Sequence, residues 1–67
     1  MYYLMHITEG WYVRYVTHKG RYALYPKQTK AGANKWTKLQ YAAAALEKLE
    51  ASGAVKPMTL KIVKEAA

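Results

Sequence analysis

At 67 residues, without cysteine and with a formal charge of +7, the chain has room for one thin-cored domain and no disulfide or thiolate-bound metal to brace it. The charge is lopsided, with seven Lys/Arg against Glu9 alone in residues 1–38 and four Lys against three Glu in residues 39–67. Such a field favours a polyanionic partner or plain solubility and dictates no fold.

The chain opens on Met1-Tyr2-Tyr3-Leu4-Met5-His6, without a basic n-region or a small-residue cleavage site. Its longest apolar run, Tyr41 to Leu46, is far short of a membrane span. A cytoplasmic protein without a membrane partner is expected.

Three strands are predicted first, at about residues 2–7, 11–17 and 21–25, each rich in Tyr, Val, Trp or Ile and separated by glycine-bearing turns. Thr8-Glu9-Gly10 reads as a three-residue loop that pairs Ile7 with Trp11, Met5 with Val13 and Tyr3 with Tyr15. Lys19-Gly20 reads as a two-residue hairpin turn, pairing Thr17 with Tyr22 and Tyr15 with Leu24. Residues 26–35, with Gly, Asn, Gln and three lysines, show no period and are expected to form the one long loop.

A helix is predicted at about 38–52. Thr37-Lys38-Leu39-Gln40 has the form of a capping box, Trp36 and Tyr41 that of a hydrophobic staple, and Gly53 stands where a left-handed residue ends a helix. Leu39, Ala42 or Ala43, Leu46 and Leu49 recur at helical spacing and are expected to form its core stripe. A last strand at about 58–64 buries Met58, Leu60 and Ile62, and residues 65–67 are expected to fray. The fold class is α+β, a β-β-β-α-β chain in which one helix covers one face of the meander. The final strand joins beside the first, giving the order 3-2-1-4.

With that register, the face opposite the helix holds Tyr2, Leu4, His6, Tyr12, Arg14, Val16, His18, Arg21, Ala23, Tyr25 and Lys27. Arg14 pairs with Tyr25, His18 with Arg21 and Tyr12 with Lys27, so cations stand beside rings and beside one another. Phosphates would relieve that repulsion. Arg offers forked donors to phosphate or to a guanine edge, and Tyr can stack on a base. Tyr12, Arg14, His18, Arg21, Tyr25 and Lys27, with Lys30 and Lys35 of the long loop, are therefore the candidate nucleic-acid-binding residues.

Catalytic groups are scarce. His6 and His18 are the only histidines, Asp is absent, Ser52 is the only serine, and Glu47 and Glu50 lie along one helix with lysine between them. No enzyme activity, metal or other cofactor is expected.

At Gly10-Trp11-Tyr12-Val13-Arg14-Tyr15-Val16, Gly20-Arg21-Tyr22 and the alanine-rich helix that follows, the chain resembles a family of DNA-binding domains. These are the three-stranded-sheet-plus-helix domains at the N-termini of phage-type tyrosine integrases and in AP2-like proteins. The likeness covers roughly residues 10–53 and implies a sheet that enters the major groove, with Tyr12, Arg14, Arg21 and Tyr25 at the matching positions. This chain adds a strand before that unit and one after its helix. The function expected is a small non-catalytic accessory protein that binds nucleic acid, DNA ahead of RNA. The alternative is a phage- or mobile-element-type protein that inhibits or adapts a host protein complex, its partner acidic. Self-assembly through an open sheet edge ranks third.

Overall fold

A computed structural model describes residues 1–66. The elements are β1 (Tyr2–His6), β2 (Tyr12–His18), β3 (Arg21–Lys27), one 3₁₀ turn (Lys30–Gly32), α1 (Leu39–Ala51) and β4 (Leu60–Lys64). The four strands form one antiparallel sheet in the order β3-β2-β1-β4, the order predicted. The helix covers the face that carries Leu4, Val13 and Leu60, and its Leu49 completes the buried cluster. Leu4, Val13 and Leu49 have no solvent exposure at all, and each such burial contributes about 1.5–3 kcal/mol.

The second hairpin forms as predicted. Lys19 (φ 51°) and Gly20 (φ 77°) both take positive φ, as a type I′ turn requires, and the ladder runs from His18↔Arg21 to Tyr12↔Lys27. β3 extends two residues beyond its expected end, through Pro26. It lies at the sheet edge, where a missing N–H costs no ladder bond.

The first hairpin corrects the predicted register by one residue. Met5 stands opposite Tyr12, not Val13, and His6 N–H bonds to Trp11 O at 2.8 Å, so the loop has one residue more, Ile7 to Gly10. His6 explains the longer loop. Its Nδ1 accepts the N–H groups of Thr8 (3.3 Å) and Glu9 (3.0 Å), while Gly10 N–H closes onto His6 O at 2.9 Å. A one-residue shift exchanges the faces of a strand. Tyr2, Leu4 and His6 thus lie on the helix side, Tyr3 and Met5 on the outer side, and Ile7 is half exposed in the loop.

Beyond Met5 and Tyr12, β1 and β2 diverge, and the long loop fills the gap between them. Asn34 N–H bonds to Val13 O (3.1 Å), and Asn34 Oδ1 accepts Tyr15 N–H (2.7 Å). On the other side, Trp36 and Tyr2 exchange backbone bonds of 2.8 and 3.0 Å. Residues 34–36 therefore stand where Tyr3 was expected to meet Tyr15, and Trp36 stacks on the Tyr15 ring at 6.3 Å. Replacing Asn34 by Ala leaves the half-buried Tyr15 N–H without an acceptor. It is expected to cost about 1–3 kcal/mol, readable as a lower midpoint in urea unfolding.

Two helix expectations shift for the same reason. Trp36 is held to β1, so the helix begins one residue late, with Lys38 as N-cap and no side-chain capping bond; Thr37 is not the cap. Ala42, Ala45 and Leu49 form the buried stripe, whereas Leu39 is 53% exposed. The other end follows expectation. Ser52 is the C-cap, Gly53 sits at φ 82°, and Ala54 N–H reaches Leu49 O at 3.1 Å while Gly53 N–H reaches Glu50 O at 3.2 Å, the paired bonds of a Schellman motif.

β4 begins at Leu60, two residues later than expected. Pro57 and Met58 form a turn instead. Met58 has φ 65° and is 86% exposed, so it packs against nothing. Positive φ after a proline is the geometry of a type II turn, whose third position favours glycine. Met58→Gly is expected to raise stability by about 0.5–1 kcal/mol, seen as a higher melting temperature.

The expected fraying of residues 65–67 is corrected at Glu65, which exchanges backbone bonds with Met1 (Glu65 N–H to Met1 O, 3.0 Å; Met1 ammonium to Glu65 O, 3.1 Å). Ala67 lies outside the described residues.

Candidate nucleic-acid interface

The long hairpin β2–β3 sets out the candidate residues. Alternation along two paired strands puts Tyr12, Arg14, Val16 and His18 beside Lys27, Tyr25, Ala23 and Arg21 on the face away from the helix. Six of the eight predicted residues thus share one surface: Tyr12, Arg14, His18, Arg21, Tyr25 and Lys27. Arg14, His18, Arg21, Tyr25 and Lys27 are all exposed. Tyr2, Leu4 and His6, expected on this face, are absent from it because of the register shift.

The remaining two candidates come from the loop. Lys35 is exposed, next to Trp36 in the segment that pairs with Tyr2. Lys30 reaches the outer face from the 3₁₀ turn, where its Nζ lies 3.8 Å from Glu65 and donates to Ala66 O.

The outer face also holds residues that sequence reasoning passed over. Lys61 of β4 lies across β1 from Tyr12, because Met5 is the register partner of both. Its alternation with Leu60 and Ile62 was visible in the sequence; its nearness to Tyr12 depended on the strand order. Tyr3, also on this side, is only 2% exposed, with the Tyr12 ring edge-on to it at 5.9 Å and Val63 as its neighbour in β4. The covered part of the face is therefore the β1 side, and the open part is the β2–β3 ribbon.

Charge is unbalanced across this surface. Among the described residues the one ion pair is Lys30–Glu65, which leaves Arg14, Arg21, Lys27 and Lys61 without a carboxylate. The two cation–ring contacts, Lys38 over Tyr41 and Lys64 over Tyr2, both at 5.9 Å, lie elsewhere. Unpaired cations on an exposed sheet repel one another and keep their donors free for an anion.

No family model, curated protein or solved structure matches the chain.

Tyr12 donates its hydroxyl to Glu65 Oε2, and that bond, ahead of desolvation and the Glu65 charge, raises its pKa above the ordinary 10.0. Burial raises that of Tyr15 similarly, with Tyr22 adding to it. A phenol with a raised folded pKa supports the fold below pH 10 and ceases to do so as the pH climbs through the raised value. Both phenols stay neutral at pH 7, so neither shift alters the charge there.

Among the described residues, no three His or Glu side chains gather as metal ligands, and no helix is long and apolar enough to cross a membrane. A cleft of about 240 Å³, lined by His6, Trp11, Leu24, Val55, Lys56 and Leu60, opens on the helix side, away from the basic face.

Proposed function

We propose that this protein binds nucleic acid through the outer face of the β2–β3 ribbon, as an accessory protein without catalysis. The observation that carries this reading is a row of exposed cations, Arg14, Arg21 and Lys27 with Lys61 across the sheet, set beside Tyr25 and His18 and without a carboxylate partner. Arg14 and Tyr25 are direct cross-strand neighbours, so one ligand could meet a forked phosphate donor and a half-exposed ring together. Duplex DNA is the first substrate to try, since a two-stranded ribbon is narrow enough for the major groove.

The test is the salt dependence of binding. Anisotropy titrations of labelled duplex and single-stranded probes, run across ionic strength, should give a duplex slope equivalent to about three to five phosphates. A slope below about two, or no binding at low salt, overturns the reading.

A second reading is favoured by apolar side chains left in water at other sites. Ile7 is half exposed and Met58 almost fully so, in segments joined by the Ile7 N–H to Thr59 O bond of 2.8 Å, beside the helix-side cleft. A protein-binding inhibitor or adaptor would use such groups as anchors. A stoichiometric protein partner that survives nuclease and moderate salt, and is lost on replacing Ile7 or Met58 but not Arg14, would favour it.

A further inference from the structure

Glu65 is the only carboxylate that the described structure places on the outer face; Glu9 is in the first hairpin loop, and Glu47 and Glu50 are on the helix. It is also the most heavily engaged acid among the described residues. Its side chain takes the Tyr12 hydroxyl on Oε2 and lies 3.8 Å from Lys30 Nζ on Oε1, while its backbone is tied to Met1 in both directions. Lys30 adds a bond to Ala66 O. These contacts cross the sheet: Tyr12 belongs to β2, Lys30 to the loop after β3, and Glu65 follows β4.

The two donors held by Glu65 are of the kinds a phosphate takes, a lysine ammonium and a phenolic hydroxyl. Both are among the candidate nucleic-acid-binding residues, and both are occupied. The ion pair is only partly shielded, with about a third of each side chain exposed, so exchanging one anion for another costs little. An incoming phosphate would meet Arg14, Arg21 and Lys27 free but Tyr12 and Lys30 blocked by a negative charge.

We propose that Glu65 is a built-in competitor for phosphate: it occupies Tyr12 and Lys30 in the free protein and is displaced from them when nucleic acid binds. This rests on the nucleic-acid reading and adds regulation to the same site. In the free state the latch also masks one cation of the face, lowering its attraction for weakly held polyanions. In the bound state Lys30 becomes an additional phosphate contact.

The experiment compares wild type, Glu65→Gln, Lys30→Gln, the double variant and Glu47→Gln by anisotropy with a labelled duplex of about 20 base pairs, a length that covers the 31 Å long axis of the domain. Glu47→Gln removes an exposed helix carboxylate and controls for net charge alone. Glu65→Gln should tighten binding by about three- to tenfold and steepen the salt slope by about one phosphate. Glu47→Gln should do far less, and the Glu65→Gln gain should shrink in the Lys30→Gln background. The phenol of Tyr12, followed by ultraviolet difference titration against Tyr12→Phe, should ionise nearer its ordinary value once Glu65 is neutral.

Wild-type binding that is lost in Arg14→Glu but unaltered in Glu65→Gln overturns the latch alone. So does a gain equal to that of Glu47→Gln, a gain that persists undiminished without Lys30, or an unmoved Tyr12 titration. Failure of both wild type and Glu65→Gln to bind at low salt overturns the latch together with the nucleic-acid reading.

Discussion

The double variant Arg14→Glu/Arg21→Glu is expected to bind duplex DNA at least about 100-fold more weakly than wild type at moderate salt, since two phosphate contacts are replaced by two repulsive charges. Anisotropy titration measures it. The two arginines belong to adjacent strands of one hairpin, on the face away from the core, and neither has a carboxylate partner among the described residues. The fold therefore has little to lose, and the melting temperature should hold within the small range of exposed substitutions, about 0.5 kcal/mol in stability. A large loss of stability would mean that the arginines support the structure. Unchanged binding would move the interface elsewhere.

The second large effect is in the core. Leu49→Ala should destabilise the domain by about 2–5 kcal/mol, because Leu49 has no exposure and joins Leu4, Val13 and Leu60 in the central cluster. A domain of 67 residues has only about 3–10 kcal/mol in total, so much of its stability is lost in one substitution. Leu39→Ala is the matched comparison. It makes the same change in the same helix at a half-exposed position, and should stay within about 0.5 kcal/mol of wild type. Denaturant unfolding of the two variants separates them; equal losses would place the helix at a different rotation on the sheet.

That contrast shows where sequence periodicity ran out. Leu39 and Leu49 both fit the predicted stripe, but the helix meets the sheet along Ala42, Ala45 and Leu49, and at about 100° per residue Leu39 stands at the margin of that line. The first hairpin failed on a comparable point. Gly10 takes the left-handed turn conformation expected of it, yet the loop length depended on the His6 ring accepting two backbone N–H groups, contacts that residue pattern does not reveal. The second hairpin had no such competitor: Lys19-Gly20 admits a type I′ turn, and every pair it implied was found.

The candidate face was legible to the extent that it depended on that hairpin. Alternation and one two-residue turn suffice to bring Arg14, His18, Arg21 and Tyr25 together, since these are local consequences of chain geometry. The roles of Tyr12 and Lys30 were not local. Glu65 lies 53 residues beyond Tyr12 along the chain, and only the placement of β4 against β1 brings its carboxylate to that hydroxyl.

The sequence by itself thus determined the α+β class, the β2–β3 register, the helix C-terminus at Gly53 and the basic character of the ribbon. Each follows from short-range periodicity, turn chemistry or charge count. Tertiary structure alone decided which face of β1 meets the helix, that β4 lies beside β1, that Asn34 and Trp36 fill the gap between β1 and β2, and that Glu65 holds Tyr12 and Lys30. Those depend on backbone groups finding partners across the chain, since a buried N–H left unpaired costs more than a rearranged loop. The basic face is in consequence divided, open along Arg14, Arg21 and Lys27 and closed by Glu65 at Tyr12 and Lys30.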